Sequence, residues 1–146
     1  RLMKKILSII AVITISLTAC ADRQHLIEYS DLPAQAQTFI KTYFNLSDVS
    51  YIESEREGLH TEYKVYLKNA TEIEFDQKGN LENIDCRISP VPEGIVPEVI
   101  ISYLQNRHPD DFVVEYAIGF RYLKVELSNG LELLFDLEGK FVRVDD

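Results

Sequence analysis

Lys64-Val-Tyr-Leu-Lys-Asn-Ala-Thr-Glu-Ile-Glu-Phe-Asp76 decides the fold, because sixty residues later the chain repeats it as Lys124-Val-Glu-Leu-Ser-Asn-Gly-Leu-Glu-Leu-Leu-Phe-Asp136. Between 64–85 and 124–145, nine of 22 positions are identical: Lys64, Val65, Leu67, Asn69, Glu72, Phe75, Asp76, Gly79 and Asp85. Unrelated segments do not share that much at constant register, so the chain holds a duplicated unit. Within each copy the apolar residues alternate. Tyr63, Val65 and Leu67 fall on one face and Lys64, Tyr66 and Lys68 on the other, as in half-buried strands. Asn69-Ala70 and Asn129-Gly130 read as two-residue hairpin turns. Asp76 to Gly79 and Asp136 to Gly139 read as turns ending on a left-handed glycine.

Working outward, 81–86 and 141–145 continue as strands, and 50–56 and 112–118 supply a further strand ahead of each hairpin. Gly58 and Gly119 mark the turns that follow those strands. Each unit begins with a helix. Ala36, Phe39, Ile40, Tyr43 and Phe44 make one apolar stripe, and Val96, Val99, Ile100, Tyr103 and Leu104 occupy the same positions sixty residues on. Pro97 belongs to the first helical turn, where its missing N–H is harmless. The expected fold is therefore α+β: two tandem helix-plus-antiparallel-sheet repeats of about 60 residues. Together they predict one sheet of about eight strands with both helices on one face.

The beginning of the sequence has a different character. Lys4 and Lys5 precede the uncharged run Ile6 to Leu17. Twelve helical residues span about 18 Å, short of a bilayer core of about 30 Å. Basic residues, a short apolar run and small residues describe an export signal. Here the small residues end in Leu17-Thr18-Ala19-Cys20, which resembles the lipobox of bacterial lipoproteins. That resemblance implies cleavage before Cys20 and acylation of its thiol and new amino terminus. Ala21, rather than Asp, directs such proteins to the outer membrane, with the leaflet left open. The expected organisation is a signal peptide over 1–19, a polar tether over 20–30 and one domain over 31–146. That domain divides into repeats 31–90 and 91–146.

Composition narrows the function. The full chain of 146 residues has 15 basic and 24 acidic residues, net charge -9. Without Arg1, Lys4 and Lys5 the remaining 12 basic residues face all 24 acidic ones, net charge -12. Such a surface repels phosphate backbones, so nucleic acid is not the partner. Acylation of Cys20 would leave Cys86 the one remaining thiol, either a reactive or intermolecular group or an ordinary small strand residue. His25, His60 and His108 lie in no nucleophile-base pattern, and no metal-binding motif is present, so neither a catalytic residue, a metal site nor a cofactor is assigned. Carboxylates gather at the turns, as Asp76 with Glu82 and Asp136 with Glu138. They could serve calcium, or simply make the local hydrogen bonds that turns favour.

The helix Phe39 to Phe44, the segment Tyr63 to Asn69, the Glu72 to Gly79 strand and turn, and their second copies through Gly139 resemble the PepSY-like family of exported, beta-lactamase-inhibitor-like bacterial proteins. The resemblance covers about residues 31–146. The chain departs from the family where many members carry Trp, at Leu81 and Phe141, and where many carry Gly, at Ala70. The resemblance implies the fold above and a binding role for the open sheet face, including inhibition of an enzyme. The residues themselves place Lys64, Tyr66, Glu72, Glu74, Lys124, Glu126, Glu132 and Leu134 on that face. Tyr is favoured at binding hot spots, and an acidic field favours basic partners. The expected function is a non-enzymatic, lipid-anchored module engaging an unknown envelope protein. The alternative is a small-ligand or calcium sensor.

Overall fold

The structure is a computed structural model that describes residues 23–145; Cys20 and the signal peptide expected over 1–19 lie outside the described residues. The chain runs β1 (Arg23–Ile27), α1 (Ala34–Tyr43), β2 (Val49–Glu57), β3 (His60–Leu67), β4 (Glu72–Phe75) and β5 (Leu81–Asp85). The second unit adds α2 (Glu98–Arg107), β6 (Val113–Ile118), β7 (Leu123–Leu127), β8 (Glu132–Phe135) and β9 (Phe141–Val144). All nine strands form one sheet in chain order. Every neighbouring pair is antiparallel.

The sheet has nine strands where the repeat predicts eight. The extra one is β1, from the segment read as tether. Leu26 and Ile27 lie opposite Glu53 and Ile52, so β1 closes the outer edge of β2 much as β5 closes that of β6. A long strand such as β2 otherwise leaves its backbone groups bare. The tether contracts accordingly.

One apolar rung crosses the whole sheet: Ile27, Ile52, Val65, Ile73, Ile84, Tyr116, Val125, Leu133 and Val144 stand opposite one another in succession. Both helices pack on that face. Ala36 and Ile40 of α1 and Ile100 and Leu104 of α2 are buried with it. Phe39 meets the ring of Phe75 edge-on at 5.4 Å, and Tyr103 meets Phe135 in the same way at 5.5 Å. The duplication therefore repeats packing as well as sequence.

The turns show why the repeat is so well kept. Leu67 and Leu127 each donate to the carbonyl four residues on, closing three-residue loops whose last residue is left-handed: Ala70 at φ 70° and Gly130 at φ 86°. These are not two-residue hairpin turns, and the bulge geometry suits the strand twist equally well. Gly79 and Gly139 take the same position in the next turn, and each lies under a helix. Pro97 caps α2 from one residue before it, and Phe44 caps α1 from one residue after.

Candidate functional site

The strand period of two turns the neighbours of every core residue onto the opposite, helix-free face. One rung of that face reads Tyr51, Tyr66, Glu72, Asp85, Glu115, Glu126, Glu132 across β2 to β8. Two tyrosines thus lead into five carboxylates on successive strands. The tyrosine rings stack at 4.4 Å with their planes 18° apart. The next rung is mixed: Leu26, Glu53, Lys64, Glu74, Asn83, Ala117, Lys124, Leu134, Arg143.

Cations brace the acidic rung at its flanks but not in its middle. Arg87 lies 3.3 Å from Glu72 and 2.8 Å from Asp85. Lys124 lies 3.5 Å from Glu132, and Lys64 lies 3.5 Å from Glu55 and 3.9 Å from Glu74. No ion pair among the described residues reaches Glu115 or Glu126, which face each other between β6 and β7. Like charges directly opposite destabilise a sheet, and the protonation equilibria record this. Burial and then the Asp85 charge hold the Glu115 carboxyl above its ordinary value; Glu126 adds to the rise and Lys124 opposes it. Burial similarly lifts Glu74. Tyr66 is pushed up to about 12, first by burial and then by the charges of Glu72 and Glu53. It stays a neutral donor throughout the physiological range.

Seven of the eight residues expected on this face are partly exposed on it: Lys64, Tyr66, Glu72, Glu74, Lys124, Glu126 and Glu132. Leu134 is corrected. It points away from the core but is only 6% exposed, flanked by Lys124 and Arg143 on the adjoining strands. The stems of such long side chains cover apolar neighbours, so Leu134 is floor rather than contact surface. Tyr51, Asp85 and Glu115 were missed. Their alternation within 50–56, 81–86 and 112–118 was legible. That β5 pairs with β6, and in which register, was not.

The remaining candidates separate by environment. His25 lies in β1 opposite Ser54, His60 opens β3, and His108 caps α2, so the three are dispersed. Cys86 is buried, and burial raises its thiol pKa; a nearby Thr71 hydrogen bond opposes this only in part. Its backbone N–H donates to the Val114 carbonyl at 2.8 Å. Such a thiol is a poor nucleophile. At the turns, Asp76 Oδ1 accepts the N–H groups of Lys78 and Asn80 at 2.8 and 2.9 Å. Asp136 Oδ1 accepts those of Glu138 and Lys140 at 3.0 and 2.8 Å. These oxygens hold their own turns together, which disfavours them as calcium ligands. Among the described residues, no three His, Cys, Asp or Glu side chains converge on a point where a metal could sit.

The family model described as "Putative beta-lactamase-inhibitor-like, PepSY-like" matches residues 18–70 and again 61–143. The chain belongs to the PepSY-like family. The two matches overlap at 61–70 and together cover both repeats. A periplasmic protein of the DUF2874 family from Bacteroides vulgatus superposes with a TM-score of 0.81 at 33% identity, over 86% of this chain and 99% of its own. A protein of Bacteroides thetaiotaomicron described as a "putative calcium-regulated periplasmic protein" superposes at 0.78 with 34% identity, over 84% and 97%. A second Bacteroides vulgatus periplasmic protein, of unknown function, superposes at 0.79 with 29% identity, over 85% and 100%. No match is found among curated proteins. No helix among the described residues of this PepSY-like chain is long and apolar enough to cross a membrane.

Proposed function

We propose that this PepSY-like protein is a non-enzymatic, lipid-anchored envelope module whose open sheet face binds a basic segment of another envelope protein and thereby regulates or inhibits it. The observation that carries this reading is the Glu115–Glu126 pair, which no ion pair among the described residues reaches, at the middle of an acidic rung that ends in the stacked Tyr51 and Tyr66. A Lys or Arg set between the two carboxylates relieves their repulsion, and the tyrosines offer a rigid aromatic contact three strands, about 14 Å, along the same rung. The family's inhibitor-like description and the periplasmic setting of its structural relatives support the same reading. Capture from native envelope extract tests it, using the wild-type chain, Tyr66→Ala and Glu126→Lys. The wild type retains a basic partner in low salt, and both variants weaken it. Equal affinity in all three chains overturns the proposal.

A second reading follows from the calcium-regulated description of one relative and from the five adjacent carboxylates. In it two neighbouring carboxylates of the rung, rather than the turns, take a divalent cation whose shell water completes, since no three such side chains converge on one point among the described residues. Calorimetry with calcium separates the two. A native-state ligand raises the melting temperature by mass action. Absence of both heat and shift leaves the protein-binding reading alone.

A further inference from the structure

One rim of the sheet gathers the β2–β3 hairpin, the β4–β5 turn, the β6–β7 hairpin and the β8–β9 turn, because all neighbouring strands are antiparallel. The first residue of β1, Arg23, lies on this same rim. The two hairpin tips are unusual. Leu59, at the apex after Gly58, is 87% exposed, and Phe120, after Gly119, is 92% exposed. Ile118, Tyr122 and Leu137 are also exposed along this rim. Scattered apolar surface is ordinary, but the most exposed leucine and phenylalanine at the ends of two equivalent hairpins call for a partner. The tips stand four strands apart, about 19 Å at ordinary strand spacing. That spread suits a broad surface better than a pocket.

The charge on the rim is mixed. Arg56, Lys78, Arg121 and Lys140 are exposed there. Glu57, Glu62, Asp76, Glu82, Asp136 and Glu138 share the rim with them, Asp76 and Asp136 bonded into their own turns. Exposed apolar and aromatic tips ringed by charged side chains of both signs match the interfacial layer of a phospholipid membrane, whose headgroups carry both signs. The length of chain ahead of β1 supplies the second argument. Three peptide steps separate Cys20 from Arg23, a reach of at most about 11 Å. A lipid anchored at Cys20 therefore holds this rim, and no other part of the sheet, at the bilayer.

We propose that the hairpin-tip rim docks on the phospholipid surface, with Leu59 and Phe120 seated in the headgroup layer and Arg56, Lys78, Arg121 and Lys140 meeting lipid phosphates. The inference rests on the anchored reading of Cys20 given above. It leaves the acidic face roughly upright from the membrane and open along its length.

The chain contains no tryptophan, so single replacements report their surroundings without background. The full chain, exported and processed in a bacterial host, is reconstituted into phosphatidylethanolamine and phosphatidylglycerol vesicles containing a brominated acyl-chain lipid. Leu59→Trp and Phe120→Trp are compared with Ile88→Trp, an exposed position beyond β5 at the opposite rim. At 59 and 120 the emission shifts to the blue and loses most of its intensity to bromine, while 88 keeps both. Equal emission at all three positions, in chains that are acylated by intact mass and float with the vesicles, overturns the docking and leaves the anchor standing. An intact mass showing unmodified Cys20 overturns the anchor and this inference with it.

Discussion

Ala70 and Gly130 occupy one position in the two repeats, and both are left-handed. An L-residue is strained there by about 1–2 kcal/mol, partly offset by the greater freedom of glycine in the unfolded chain. Ala70→Gly is therefore expected to stabilise by about 1 kcal/mol, and Gly130→Ala to destabilise by as much. Chemical denaturation of both variants checks this. Nothing lies within 4 Å of a Cβ at Gly130, so the Gly130→Ala change isolates backbone strain. Gly79→Ala adds a collision, since its Cβ would come within 2.8 Å of Pro33 and 2.9 Å of the Ala36 nitrogen. It costs more than Gly130→Ala in the same titration. Glu115 carries a pH signature. Its folded pKa lies above the ordinary 4.5, so the folded state binds the proton more tightly than the unfolded. Its charge opposes folding at neutral pH, and stability is regained as pH falls through the raised value towards the ordinary one. Glu115→Gln should melt above the wild type at pH 7, with the gap closing on acidification. A gap that widens instead contradicts the crowding of carboxylates on the open face.

At the level of elements, the hairpin strands and both helices were legible because their signals are local and appear twice. Val65 and Phe75 alternate within a few residues, and Val125 and Phe135 confirm them sixty residues on. β1 was not legible. Arg23-Gln-His-Leu-Ile27 is mostly polar, and it becomes a strand only because β2 offers an unpaired edge. The acidic rung failed for the same reason: Asp85 and Glu115 are thirty residues apart and meet through a pairing that no local pattern encodes. Leu134 failed differently: alternation rightly sets it on the open face, but its near-complete burial there leaves no trace in the local pattern. These readings make β1 a protective element. A chain beginning at residue 28 exposes the nine residues of β2 as a bare edge, and bare edges pair with other chains. Size-exclusion chromatography should show that truncated chain associating at concentrations where the full domain stays monodisperse.

For the molecule as a whole, the two repeats share one core and should melt together. Phe75 and Phe135 are completely buried at equivalent places under α1 and α2. Truncating either to alanine should cost about 3–5 kcal/mol. Calorimetry should show one transition displaced to lower temperature in both variants, because the β5–β6 pairing runs the apolar rung unbroken through the junction. Two separate transitions would mean that each repeat is its own folding unit.

The strand count also has a consequence in parity. In an antiparallel sheet of eight strands taken in order, the first strand begins and the last one ends on the same side. With nine, Arg23 and Val144 lie on opposite sides. The short opening strand therefore inverts the polarity of the domain with respect to the chain that leads into it. Eight strand spacings, about 38 Å, also separate the two ends across the sheet, so reporters fused ahead of residue 23 and after residue 146 should show weaker fluorescence transfer than one ahead of residue 23 paired with one in the Gly58–Leu59 turn on the adjacent hairpin.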